Sequence, residues 1–433
     1  MDRRNRKRVL IITYYWPPSG SSGVQRTLYF VKYLRDFGWE PVVYIPENPE
    51  YPAIDNSLQR EIPLDIEILK YPIWEPYQFY KRFLRIATNE VIKPQVVMER
   101  KKGFKNWISV FIRGNFFIPD ARKFWINPSF KFLAKYLNDH PVDMIYSSSP
   151  PQSVHLIAMK LKAKLGIAWV VDFRDPWTRI SYFEHMHLTP LARKRHEHLE
   201  KQVLKSANAV VTVSNKCGYD FEKIGGRKVI TITNGFDGIV SEPTNETHNE
   251  LILTYIGTLT RSRVPGHFWR ELNDALNRKG ILKSFKLKMI GNIEESVFQD
   301  IISAGLGDNL IKRPYLSHDL VATELKNSFA MLLIGIPNDK GVLTGKLFEY
   351  MQSLRPILCI GPLHGDLEEF INEPEFGFYA PYENGDLQKK AIEHLIELYQ
   401  NPENWSPRPE KVLRYHRKKL TAQLADIFNA QFH

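Results

Sequence analysis

Short apolar runs alternate with stretches of helical spacing along almost the whole chain. A strand is predicted over residues 8–13, where Val9 to Ile12 are apolar, and the turn WPPSGSSG follows it. The next segment, VQRTLYFVKYLRDFG, spaces Val24, Leu28, Val31 and Leu34 three and four apart before Gly38, which predicts a helix with one apolar face and a stop. Strand character resumes over 41–45 and recurs over 143–146, 169–173 and 209–213, with helices predicted over 153–165 and 190–206. Such alternation predicts βα units around a parallel sheet.

The periodicity fails once. ITNGFDGIVSEPTNETHNE trades apolar spacing for Gly, Pro, Asn, Thr and acids, so a linker is predicted over 237–250. Beyond it the βα pattern restarts, with strands over 251–256, 285–290, 330–334 and 357–360 and helices opening at Gly266, Glu294, Lys346 and Gly385. A last helix runs from about Glu410 to Gln431. The predicted organisation is an α/β chain of two Rossmann-like, doubly wound domains, 1–236 and 251–409, facing each other across a cleft. The terminal helix, 410–433, is a candidate to cross back onto the first domain. Ligands of such sheets bind beyond the carboxyl ends of the strands.

Composition agrees with two domains, because 433 residues exceed the roughly 250–300 at which a single core stops growing. Hydrophobic residues make up 43% and charged residues 25%, the balance of a soluble folded protein. No apolar stretch approaches the ~20 residues of a membrane-spanning helix. The apolar run after the basic start ends at Ile12, too short for a secretory signal, so a cytoplasmic protein is expected. Cys217 and Cys359 lack metal-ligand spacing and predict neither a zinc site nor a disulfide.

The net charge of +11 invites an acidic partner: nucleic acid, nucleotide phosphates or an anionic membrane surface. Its distribution narrows the choice. Between Lys93 and Lys131 nine Lys or Arg face two acids, interleaved with Phe104, Trp107, Ile108, Val110, Phe111, Ile112, Phe116, Phe117, Phe124 and Trp125. Bases mixed with large apolar side chains suit an insert lying at a membrane interface. The alternative is a helical insert whose aromatics fill the first domain's core.

Four segments carry candidate chemistry. SGSSGVQR lies between the first strand and first helix, so its amides, with Gly23 as the last residue before the helix, could approach a phosphate or substrate; a turn that binds nothing is the alternative. Asp172-Phe173-Arg174-Asp175-Pro176-Trp177 puts two carboxylates and a guanidinium at a strand's carboxyl end, for function or for an Arg–carboxylate pair that fixes a loop. His155 lies in an apolar helical pattern, as an acid–base candidate or a packed histidine. Gly257-Thr258-Leu259-Thr260-Arg261-Ser262-Arg263 follows the second domain's first strand and offers two guanidinium groups to a diphosphate, unless it is a solvated basic loop. Last, Thr344 could cap a helix on which Gly345 is followed by Lys346 and Glu349, three apart on one face. On residues alone, those two read equally well as a surface ion pair.

In order and spacing, GVQR, DFRDPW, VSN, ITNGFD, YIGTL, TGKLFEYM and PEFGFYAP resemble family 4 of the retaining glycosyltransferases, of GT-B fold, over nearly the whole chain. The resemblance implies a nucleotide-sugar donor in the second domain and a saccharide or lipid-linked acceptor in the first. It implies a role in cell-surface polysaccharide synthesis, and the basic, aromatic insert over 93–131 suggests docking at the inner membrane face. Glu349 matches the family's ribose-binding glutamate; the sugar-contacting glutamate is replaced by Gly341. Lys346 matches a diphosphate-binding base. The usual Arg after the glycine is Thr258, with Arg261 and Arg263 as substitutes by proximity. The implied chemistry needs no cofactor, no metal and no protein nucleophile, since Lys346 with Arg261 or Arg263 would stabilise the departing diphosphate. Two other classes stay open. A GT-B sugar-nucleotide epimerase would share the donor site, and a nucleic-acid-binding protein would explain the charge, although no recognised binding module is present.

Overall fold

The computed structural model describes residues 6–20, 22–51, 53–76, 104–180, 182–240, 249–314, 316, 318–373 and 375–432. The chain forms two compact units, residues 1–233 with 417–433, and residues 234–416.

The first unit holds a seven-stranded parallel sheet in the order β3-β2-β1-β4-β5-β6-β7. Its strands are β1 (Lys7–Ile12), β2 (Trp39–Pro46), β3 (Glu67–Tyr71), β4 (Met144–Ser149), β5 (Ala168–Phe173), β6 (Ala209–Thr212) and β7 (Ile230–Thr231). The alternation along each strand supplies two cores. Leu10 and Ile12 join one with Val42, Ile145, Val171 and Trp125, whereas Val9 and Ile11 join the other with Val24, Leu28, Val31 and Val43. Burial on both faces explains why these strands read as continuous apolar runs.

The second unit repeats the plan with six parallel strands in the order β10-β9-β8-β11-β12-β13. These are β8 (Leu251–Ile256), β9 (Phe285–Ile290), β10 (Leu310–Arg313), β11 (Ala330–Ile334), β12 (Ile357–Gly361) and β13 (Gly377–Pro381). Ala330, Leu332 and Ile334 face one core; Met331 and Leu333 face the other. In each unit the first strand stands between strands whose connections run in opposite directions. That switch point, β1/β4 in one unit and β8/β11 in the other, is where doubly wound sheets open a crevice for ligands.

The differences from the sequence expectation lie at edges and ends. β3, β10 and β13 carry polar, glycine or proline residues that blur the apolar signal, as in LIKR and GFYAP, and an edge strand needs only one paired side. The run predicted as one helix over 410–431 is two, Pro409–Leu413 and Arg417–Asn429. Between them Tyr415 packs against Phe348 and Phe370, and its carbonyl accepts from Phe236 N at 3.2 Å. The Arg417–Asn429 helix belongs to the first unit. Leu420, Leu424 and Phe428 enter its core beside Trp39, whose ring centroid lies 5.1 Å from that of Phe428.

The change of unit falls after Thr233, ahead of the predicted linker at 237–250, and residues 241–248 of that linker lie outside the described residues. Of the predicted insert over 93–131, residues 93–103 also lie outside them. The remainder begins with the helix Phe104–Phe116 and runs into the helix Ile126–Asp139. Val110 and Trp125 are buried, while Trp107, Ile112, Phe116 and Phe124 are exposed. Among the described residues no helix is long and apolar enough to cross a membrane.

Candidate active site

At the switch point of the second unit the chain leaves β8 through Gly257 and Thr258. Gly257 has φ +129°, and a Cβ there would stand 2.0 Å from Lys346 Nζ. Only glycine therefore lets this turn lie against the lysine. Lys346 arrives from the opening turn of the helix Gly345–Gln352, the segment that the sequence singled out. Its Nζ donates to Tyr255 Oη at 3.3 Å and lies 4.9 Å from the Tyr255 ring centroid.

Burial, reinforced by the nearby Arg263 guanidinium, pushes the Lys346 ammonium down to about 8 against the opposing pull of Glu349. Arg263 donates to the carbonyls of Ile334 at 3.1 Å and Gly335 at 3.2 Å, which puts a second cation at the carboxyl end of β11. Arg261 goes elsewhere. It forms a two-pronged, exposed pair with Asp300 at 2.8 and 2.9 Å. Of the two arginines, the structure brings only Arg263 to Lys346.

Tyrosines frame this corner. Ile256 N donates to Tyr350 Oη at 2.9 Å, Tyr255 Oη donates to the Thr258 carbonyl at 2.7 Å, and Tyr382 Oη donates to Gly335 O at 2.7 Å. None was named from the sequence as a site residue, although Tyr255 and Tyr350 stand inside the segments YIGTL and TGKLFEYM; Tyr382 lies in the turn after β13. Thr344 takes the N-cap position, yet its side chain makes no capping bond, and its buried Oγ1 has no hydrogen-bond partner. Gly345 is exposed and Glu349 half-buried on the same short helix, while Gly341 is buried. Asp339 lies two residues before Gly341, and burial raises its pKa.

In the first unit the corresponding candidates are engaged with other parts of the same unit. Asp172 has no exposed surface. It accepts from Arg26 Nε at 3.0 Å and Nη2 at 2.9 Å, from Tyr146 Oη at 2.6 Å and from Ser148 Oγ at 2.7 Å. Burial alone would raise its pKa, but Arg26 and the hydrogen bonds carry it below the usual carboxylate value. Arg26 is 146 residues away in sequence; the segment GVQR that contains it stands out in the sequence, but nothing local pairs it with Asp172.

Arg174 is also buried. Its Nε donates to Ser149 O at 2.7 Å, Nη2 donates to Pro150 O at 2.9 Å, and Nη1 donates to Gly23 O. Gly23 is not the last residue before the first helix, as expected, but the second residue of that helix, Ser22–Leu34, so the guanidinium ties the helix's opening turn to the end of β4. A Cβ on Gly23 would stand 2.0 Å from Arg174 Nη1, which explains the glycine without a ligand. Asp175 follows, half-buried, beside Arg174.

His155 is fully buried, its Nδ1 2.9 Å from Ser147 Oγ and its ring 4.5 Å from that of Phe173. Burial lowers its pKa to about 3, so the imidazole is neutral and sits in the core. The loop after β5 is fastened further on. Trp177 Nε1 donates to His196 Nδ1 at 3.1 Å, and Thr178 Oγ1 donates to Glu200, whose pKa burial raises. Among the described residues no group of three or more His, Cys, Asp or Glu is placed to hold a metal ion, and Cys217 and Cys359 are buried and not joined in a disulfide.

Comparison with known proteins accords with this architecture. Residues 98–238 match the model described as Glycosyltransferase Family 4. Among solved structures, sucrose-phosphate synthase from Thermosynechococcus elongatus aligns over 99% of both chains at 12% identity, with a TM-score of 0.62. A glycosyltransferase from Rickettsia africae aligns over 99% of both chains at 14% identity and a TM-score of 0.61. Anabaena HepE in complex with UDP and glucose aligns over 98% of this chain and 100% of its own at 13% identity and a TM-score of 0.59. No curated protein matches the chain in sequence. At these identities the structural likeness is one of fold, and the family match supplies the activity class. The matched segment in the first unit and the fold shared by both make this chain a glycosyltransferase of GT-B architecture.

Proposed function

We propose that the protein is a retaining glycosyltransferase that moves a sugar from a nucleotide-sugar donor to a saccharide or lipid-linked acceptor in cell-surface polysaccharide synthesis, at an anionic membrane surface. The observation that carries this reading is the convergence of Lys346 and Arg263 beside the bare backbone of Gly257, at the switch point of the second unit. A departing nucleoside diphosphate gains negative charge as the glycosidic bond breaks, and two preplaced cations stabilise that charge most where it is greatest. The helix opening at Gly345 adds its own positive end. Thr344 Oγ1, which has no protein partner, supplies a hydroxyl beside it.

In this reading the acceptor hydroxyl attacks the anomeric carbon on the face that the diphosphate leaves. The C–O bond to the donor breaks as the new one forms, and the hydroxyl proton passes to the departing phosphate oxygen. Lys346 and Arg263 balance the charge without a metal or cofactor, Glu349 binds the ribose, and no side chain acts as nucleophile. The start of the helix Ser22–Leu34, with Gly23, and the loop bearing Asp175 are the acceptor side. UDP-glucose is the first donor to test, because the HepE structure holds UDP and glucose.

The experiment is a thermal-shift screen of nucleotide sugars followed by a transfer assay on Lys346→Ala and Glu349→Ala. A donor-specific stabilisation, and transfer reduced at least about a hundredfold in both variants, is expected from the loss of charge-assisted bonds. Full transfer in both overturns the reading. Donor turnover without any acceptor points instead to a sugar-nucleotide epimerase.

A further inference from the structure

The helix Phe104–Phe116 is inverted. Its inner side is made by Ser109, Val110 and Gly114, with Gly114 close against Met186 and Leu188. Its outer side carries Trp107, Ile112 and Phe116, the last two 40% and 63% exposed. An amphipathic helix on a water-facing surface places polar residues there. Asn115, half-buried on the same helix, is occupied. It accepts from Thr189 N at 2.7 Å and donates to His187 O at 3.1 Å.

The apolar surface continues on both sides. Lys123 Nζ donates to Phe116 O and lies 5.0 Å from the Phe124 ring centroid, and Phe124 packs edge-on against Trp74, itself exposed. On the other side Thr189 leads into the helix Pro190–Ser206, whose Leu191 is 79% exposed. Three, four and seven residues on from Leu191 come Lys194, Arg195 and His198, all exposed, and this spacing puts them on one helix face. Of the nearby acids, Glu184 pairs with Arg193 at 2.9 Å, Glu75 pairs with Arg122 at 2.8 Å and Asp120 accepts from Ser153 N at 2.8 Å, while Glu197 stands exposed on the same helix as Lys194 and Arg195.

Large apolar side chains, two of them tryptophan, set among exposed bases, have the chemistry of a lipid interface. Aromatic rings favour the headgroup level, and the bases favour anionic lipid. We infer that the outer face of the Phe104–Phe116 helix, with Phe124 and the Leu191–His198 helix face, seats the first unit on an anionic phospholipid bilayer. This deepens the proposed function and rests on it only in supplying a reason to be at a bilayer, the lipid-linked acceptor. Binding to vesicles needs no donor.

The test uses the full chain with phosphatidylcholine vesicles, with and without a one-third share of phosphatidylglycerol. The wild type is expected to co-sediment with the anionic vesicles and to release as salt is raised. Ile112→Ser/Phe116→Ser/Leu191→Ser should weaken binding by roughly tenfold or more through lost apolar insertion. Lys194→Gln/Arg195→Gln should weaken it on anionic vesicles by about fivefold per charge.

Transfer to a soluble saccharide acceptor should be unchanged in both variants, which shows that they fold. Equal binding to neutral and anionic vesicles overturns the inference, as does binding insensitive to both variants. It is also overturned if wild type ignores vesicles and sediments as a dimer that the serine variant dissolves, since a second copy then covers the face. Vesicle binding by a protein inert toward every nucleotide sugar defeats the enzymatic reading and leaves this one standing.

Discussion

Truncating Asp172 to Ala separates a carboxylate that holds the fold from one that meets substrate. Its four hydrogen bonds come from Arg26, Tyr146 and Ser148, with no exposed surface. The variant leaves the Arg26 guanidinium buried, still donating to Thr233 O at 2.9 Å, with its charge uncompensated. Removing one member of a buried pair costs about 3–5 kcal/mol, against about 0–1 for a surface pair. In a unit of this size each kcal/mol moves the midpoint by about 2–4 °C, so the first unit should melt roughly 6–20 °C lower.

Removing both charges, as Arg26→Met/Asp172→Leu, should recover much of that loss, because no lone charge is then left inside. The sign with pH follows from the lowered native pKa. The carboxylate's contribution is present above its unfolded value of about 4 and fades as pH falls through the native one, so wild type and Asp172→Ala should converge in acid. Differential scanning calorimetry from pH 8 down to pH 3, beside a transfer assay well below the lowered transition, reads both effects. A variant that melts like wild type but loses transfer a hundredfold would refute the structural role.

The remaining expectations concern the donor corner and the glycine turn. Because a diphosphate selects the charged form of Lys346, nucleotide-sugar affinity should fall as pH rises through about 8, by up to about tenfold per pH unit. Titration calorimetry on Lys346→Arg should show that slope gone, and an unchanged slope would point to another group. Arg261→Ala should change stability by no more than about 1 kcal/mol and leave donor KM within about twofold, since its partner Asp300 is exposed. Arg263→Ala should raise donor KM about tenfold or more, and the reverse order in steady-state kinetics would reassign the cation. Gly23→Ala should cost roughly 2–3 kcal/mol by forcing Arg174 off its carbonyls; chemical denaturation checks it, and a wild-type midpoint contradicts the close contact.

The apolar and helical periodicities alone determined the βα alternation and the interruption between its two series, because burial on both faces of a parallel sheet leaves a one-dimensional trace. Edge strands such as β10 and β13 escaped, since a half-covered strand need not be apolar. The Thr344 to Tyr350 helix start was also legible, since helical spacing and its following strand are local. Which charges meet was not. Arg261 and Arg263 are equivalent as text, and only the path of the chain after Thr258 sends one to Asp300 and the other to the end of β11. Asp172 and Arg174 read as site residues for the same reason: a carboxylate and a guanidinium at a strand's end carry no mark of the partners awaiting them. Those partners, Arg26 for one and the carbonyls of Gly23, Ser149 and Pro150 for the other, lie mostly far off in sequence. Charge is spent on the nearest buried opposite dipole or ion, and nearness of that kind exists only in three dimensions.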